Sequence, residues 1–203
     1  MLLYLRKSIS VCFCFLLIAS LQACANAQYD ATKPTVGDYQ AVELLHQDDF
    51  EGELDQWQVE QGPGGTTQIK DGRLDIVDAS GCTVWFKHKL KAPVLVEFDV
   101  VMISAGGKHD RVSDLNSFMM AIDPKNDDLL AGGEQRRGKF KNYDSLRLYY
   151  VGYGANGNKT VRFRRYPGDG TKPLLPDHDL EAKNKPNVKR RVQIIVVDGT
   201  YQY

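Results

Sequence analysis

Short runs rich in Val, Ile, Phe, Tyr and Trp recur along this chain between clusters of Gly, Asp, Asn and Pro, and no window carries a long apolar repeat at helical spacing. That rhythm predicts strands at residues 41–46, 57–61, 66–70, 73–77, 82–90, 94–103, 116–123, 145–153, 160–166 and 190–197. The punctuation between them is chemically sensible. Asp71-Gly72 suits a two-residue hairpin loop, Asn156-Gly157-Asn158 tolerates positive φ, and Lys91-Ala92-Pro93 ends one strand before the next. Strands in this number, with no helices to cover them, must bury their apolar faces against each other. The expected fold is therefore all-β, a jelly-roll sandwich of two antiparallel sheets. Residues 192–197 read as a buried strand and Asp198-Gly199 as a hairpin turn, but the arm carrying Tyr201 and Tyr203 is short. A hairpin lacking most of its return strand leaves an open edge, so the domain is expected to be incomplete at its C-terminus.

The amino end sets the expected compartment. Arg6 and Lys7 precede an apolar stretch over residues 11–21 that is too short to span a bilayer comfortably, the pattern of a signal peptide. Two cleavage sites compete. Leu21-Gln22-Ala23-Cys24 has the form of a bacterial lipobox, which would make Cys24 a lipid anchor, and Ala25-Asn26-Ala27 has the A-x-A form that releases a soluble chain. The layout expected is a leader over residues 1–27, or ending before Cys24, a flexible linker over 28–40 and one domain over 41–203. The mature chain would carry no transmembrane helix and would reside in the periplasm, on the outer membrane as a lipoprotein, or outside the cell.

Charge and cysteine content exclude several classes. Twenty-six basic residues balance twenty-six acidic ones, so no net field recruits nucleic acid or an anionic membrane. Locally, Arg136, Arg137, Lys139 and Lys141 form one basic cluster, expected to be a solvated surface, and Arg162, Arg164 and Arg165 form another. Cys12, Cys14 and Cys24 belong to the leader, which leaves Cys82 alone in the body and rules out a disulfide framework. Cys82 reads as a small buried hydrophobe, and Trp57 and Trp85 as core.

Six segments carry a resemblance. Asp48-Asp49-Phe50-Glu51-Gly52, Gly72-Arg73-Leu74-Asp75-Ile76 and Cys82-Thr83-Val84-Trp85-Phe86 look like the opening strands of concanavalin-like lectin/glucanase domains. More specifically, residues 109–116 (HDRVSDLN), 146–154 (LRLYYVGYG) and 162–170 (RFRRYPGDG) resemble an uncharacterised bacterial family of exported concanavalin-like domains found in polysaccharide-degrading systems. The resemblance covers about residues 44–203. It implies a carbohydrate context without an established catalytic set, and members of that family continue for several more strands.

Glycoside hydrolysis needs two carboxyl groups, about 5–5.5 Å apart for retention and further apart for inversion. The laminarinase-type motif Glu-x-Asp-x-Glu is broken here. Glu97 and Asp99 are present, but Val101 stands at the second Glu, and the two acids are expected to face outward opposite Val96, Phe98, Val100 and Met102. β-Elimination needs other parts: a cation or amide against a uronate carboxylate, a base for the acidified proton and an acid for the leaving oxygen. Alternation places Arg147, Tyr149, Val151 and Tyr153 on one face of a strand, and Arg162, Arg164 and Tyr166 on one face of a neighbour. His109, with Arg111, Asp114 and Asn116, lies in a loop entering a strand. The expected roles are His109 or Tyr149 as base, Tyr153 or Tyr149 as acid, and Asn116 with Arg162 or Arg164 as carboxylate neutralisers. Arg111, Arg147 and Tyr166 complete the substrate surface. The competing reading is a lectin-like module that holds glycan on the same surface without cleaving it, and a third is an inactive, truncated product. His46, His88, His109 and His178 show no paired ligand spacing, so no zinc site is expected. The run Asp123-Pro124-Lys125-Asn126-Asp127-Asp128 and the pair Asp48-Asp49 offer oxygens for a structural calcium, although turn capping accounts for them equally well. No other cofactor is expected.

Overall fold

The computed structural model describes residues 2–7, 35–175 and 183–203. The apolar stretch of the leader, both cleavage sites, Cys24 and His178 lie outside them. The strands are β1 Leu2–Lys7, β2 Thr35–Val36, β3 Tyr39–His46, β4 Trp57–Gln61, β5 Thr66–Ile69, β6 Leu74–Val77 and β7 Cys82–Phe86. They continue with β8 Val94–Val101, β9 Leu115–Ile122, β10 Arg147–Gly154, β11 Thr160–Pro167, β12 Lys189–Val197 and β13 Thr200–Gln202. The fold is all-β with antiparallel sheets, as the alternation requires, and every expected strand is present to within a few residues. Among the described residues no helix is long and apolar enough to cross a membrane.

Two compact units make up the chain. The first comprises Met1–Gln47, Leu90–Phe98 and Val192–Tyr203, and the second Asp48–Lys89 and Asp99–Arg191. Most of the six-stranded sheet, in the order β13-β12-β8-β1-β3-β2, belongs to the first unit. Its core is Ala41, Leu95, Ile195 and Val197, with Val36 and Tyr39 packed against them. The strand β1 falls in the span read as leader, yet its backbone pairs with β3 on one side and β8 on the other. One expectation is corrected in β8. Glu97 is only 8% exposed and accepts a hydrogen bond from Gln193 Nε2 at 2.8 Å, whereas Phe98 is 37% exposed. An interior strand buries polar positions too, and the Gln193 amide supplies a partner for Glu97.

The second unit holds the ribbon β4-β7, the hairpin β5-β6 and the sheet β11-β10-β9. Asp71 and Gly72 take φ values of 51° and 64°, the left-handed pair that a two-residue hairpin loop needs. Its core gathers Trp85, Tyr143, Leu146, Leu148, Tyr150 and Tyr166, with Phe118, Ala121, Leu129 and Leu130 against them. Trp85 stacks on Phe118 at 5.7 Å. Trp57 is half-buried between Phe50 and Phe86, and its indole N–H donates to Asp48 Oδ2 at 2.7 Å. Cys82 is half-buried 3.2 Å from Thr67 Oγ1, and burial pushes its thiol up, away from nucleophilic character. Asp123 and Asp128 cap turns, accepting from the Lys125 and Leu130 amides at 2.9 Å each.

Candidate functional site

The sheet β11-β10-β9 is ruled by its register. Tyr150 of β10 lies opposite Arg164 of β11 and Phe118 of β9, and Gly152 lies opposite Arg162 and Asn116. One face therefore reads, from its apolar end outward, Leu148 and Tyr166, then Phe118, Tyr150 and Arg164, then Asn116, Gly152 and Arg162. The inner row is sealed by the core, while Arg162 and Arg164 are half-buried and Asn116 is exposed. Gly152 is a spatial requirement. A Cβ there would stand 2.1 Å from the Tyr150 hydroxyl, so the bare backbone lets the phenol lie along the strand and donate to Asn116 Oδ1 at 3.1 Å.

Electrostatics around Tyr150 pull both ways. Burial raises its pKa well above the ordinary tyrosine value, and the Asp114 carboxylate raises it further, while the Arg164 and Arg162 guanidinium groups oppose the rise. Asp114 is itself fixed, accepting from Arg111 Nη2 at 2.7 Å and Ser113 Oγ at 2.8 Å, with its amide bonded to the Gly154 carbonyl. Arg164 Nη1 donates to the Lys172 carbonyl at 2.6 Å, which aims its guanidinium. The arrangement offers a proton-bearing hydroxyl, an amide and two cations on one surface.

Residues 76–203, more than half of the chain, match the family model described as a domain of unknown function, DUF6250. The chain belongs to the DUF6250 family. Comparison with curated proteins and with solved structures gives no match. The matched span of this DUF6250 protein contains β9, β10 and β11 entire, and with them every residue of the face just described.

The register divides the residues that sequence alone would group. Asn116, Arg162, Arg164 and Tyr166 share the Tyr150 face of this DUF6250 sheet, but Arg147, Tyr149 and Tyr153 point to the opposite face, where Tyr149 pairs with Arg165 and Tyr153 with Val161. Tyr149 is half-buried and Arg147 is exposed. The Tyr153 hydroxyl accepts from Arg190 Nη1 at 3.1 Å, and that guanidinium lies 5.8 Å over the ring. Tyr166 is fully buried, and its hydroxyl has no hydrogen-bond partner among the described residues. His109 sits half-buried on the loop before β9; beside it the Asp110 carboxylate accepts from the Ala105 and Gly107 amides, which hold it below the usual carboxylate range. Arg111 is exposed and reaches the site through Asp114.

Two features escape the sequence. Tyr150 is passed over because alternation sets it with Leu148 and Gly152, the face of β10 without a charged residue, while Arg147, Tyr149 and Tyr153 take the other. Arg136, expected among solvated cations, is 4% exposed and binds Glu60 through Nε at 3.1 Å and Nη2 at 2.5 Å. The Tyr143 hydroxyl donates to the same carboxylate at 2.6 Å. The sequence carries little signal for this pair: Glu60 stands between Val59 and Gln61 in a strand of mixed polarity, and only its burial shows that it needs a cation as partner.

Proposed function

We propose that this DUF6250 protein is an exported carbohydrate-active domain with a concanavalin-like jelly-roll fold, and that it cleaves an acidic polysaccharide by β-elimination. The observation that carries the reading is the Tyr150 hydroxyl, bonded to Asn116 on a face it shares with Arg162 and Arg164. Guanidinium forks suit a uronate carboxylate, and neutralising that group acidifies the adjacent C–H. Tyr150, ionised to phenolate beside bound substrate, takes the C5 proton. The C5–H electron pair becomes the C4=C5 double bond, the C4–O4 bond breaks with its pair on oxygen, and the proton passes from Tyr150 to O4. Protons and electrons balance without a further reactant. The resemblance of residues 109–116, 146–154 and 162–170 to exported domains of polysaccharide-degrading systems supports the carbohydrate context.

A second reading, a binding module, is favoured by the burial that keeps Tyr150 protonated in the free protein. The two separate on one assay. Purified protein mixed with uronate polymers is expected to generate the near-ultraviolet absorbance of an unsaturated uronate, at a rate that climbs with pH because the Tyr150 pKa lies above its ordinary value. Tyr150→Phe is expected to abolish that signal while retaining affinity for the polymer. Affinity without absorbance, in wild type and variant alike, would leave binding as the function.

A further inference from the structure

Between β9 and β10 the chain forms a strap that three short helical turns build: Leu129–Gly132, Gly133–Arg136 and Phe140–Tyr143. The strap is fastened to the ribbon β4-β7. Arg136 plugs into Glu60, Gln58 Nε2 donates to the Leu130 carbonyl at 2.8 Å, and Gly138 approaches Gly81 so closely that a Cβ on either would collide with the other's backbone. So fastened, it carries Phe140 to the edge of the candidate site. The Phe140 ring lies 5.4 Å from the Tyr150 ring and is 40% exposed, a large apolar surface left open on an element that is otherwise pinned. Lys172 Nζ lies 5.1 Å over the same ring, with both Asp144 oxygens at 2.9 Å, and the Lys172 carbonyl receives the bond from Arg164.

We infer that Phe140 is a stacking platform for the sugar unit next to the one held at Tyr150, so that the site takes an oligomeric acidic glycan and not a single uronate. This rests on the reading of the Tyr150 face as a glycan site. The chemistry is that of an amphipathic ligand. The C–H face of a pyranose covers the exposed part of the ring, and the carboxylate is met by Arg164, while Lys172 stays paired with Asp144. Because the buried ion pair holds the strap before ligand arrives, little ordering is left to oppose binding.

The experiment is calorimetric titration of galacturonate, glucuronate and alginate oligomers, from monosaccharide to tetrasaccharide, into wild type, Phe140→Ala, Phe140→Leu, Phe140→Trp and Arg162→Met, with thermal unfolding of each to establish that it folds. Affinity is expected to fall about five- to tenfold for the tetrasaccharide in Phe140→Ala, and by less in Phe140→Leu. Phe140→Trp is expected to bind as wild type does, and affinity for the monosaccharide to stay unchanged in all three. A loss of the same size at every length marks Phe140 as merely structural and overturns the inference. So does full tetrasaccharide affinity in folded Phe140→Leu and Phe140→Ala, while a simultaneous loss in Arg162→Met would leave the reading of the site standing. No binding of any oligomer by folded wild type would overturn that reading, and the platform with it.

Discussion

Gly152 and Tyr150 depend on each other at the level of single atoms. With a Cβ 2.1 Å from the hydroxyl, Gly152→Ala forces the phenol out of its place against Asn116. Because Tyr150 is packed among Phe118, Phe140 and Tyr166, the displaced ring has little room to move. The expected cost is about 1–3 kcal/mol, typical of overpacking, read from the urea midpoint together with loss of glycan affinity. An unchanged midpoint would mean that the ring finds another rotamer at no cost. The candidate residues were legible as types, since Arg, Asn and Tyr crowd into residues 109–116, 146–154 and 162–170. Their grouping was not legible, because residue type says nothing of which strand face lies beside which.

At the scale of elements, that grouping turns on one extra residue. Ala155 bridges Thr160, and continuing that pairing would set Tyr153 opposite Arg162 and bring Tyr149 and Arg164 to one face. Instead Tyr153 faces Val161, so Gly154 is the surplus residue of a bulge, at φ 68°. A Cβ at Gly154 would stand 2.4 Å from Asn184 Nδ2, so the position is tied to glycine by space as well as by φ. Strands and turns follow from local pattern, but a bulge that reverses the facing of one strand relative to the next follows from how the turn closes. The strap presents a different element-scale test. Glu60→Gln leaves the Arg136 charge buried beside a neutral partner, and removing one member of such a pair costs about 3–5 kcal/mol. The loss is to be read by urea unfolding. Replacing both residues by apolar ones, Glu60→Leu with Arg136→Met, is expected to recover much of it, and a double variant no better than the single one would show that the pair's geometry, not its charge burial, holds the strap.

Across the molecule, three phenols buried in one core give stability a defined alkaline limit. Tyr143, Tyr150 and Tyr166 all have pKa values raised first by burial. Above about pH 10 the unfolded chain releases these protons while the folded chain keeps them, so the unfolded state gains and stability falls as pH rises; below that point these groups contribute no slope. The urea midpoint is expected to drop between about pH 8 and about pH 11, and to drop less in Tyr166→Phe, whose hydroxyl has no partner to lose. Equal drops would assign the alkaline loss to other groups. A second whole-molecule property lies in the order of the strands along the chain. The core of the first unit joins Ala41 near one end, Leu95 in the middle and Ile195 and Val197 near the other. Pairings this distant in sequence close slowly. A ribosome must therefore deliver Val197 before that core can close, and until then Ala41 and Leu95 wait without two of the side chains that seal them.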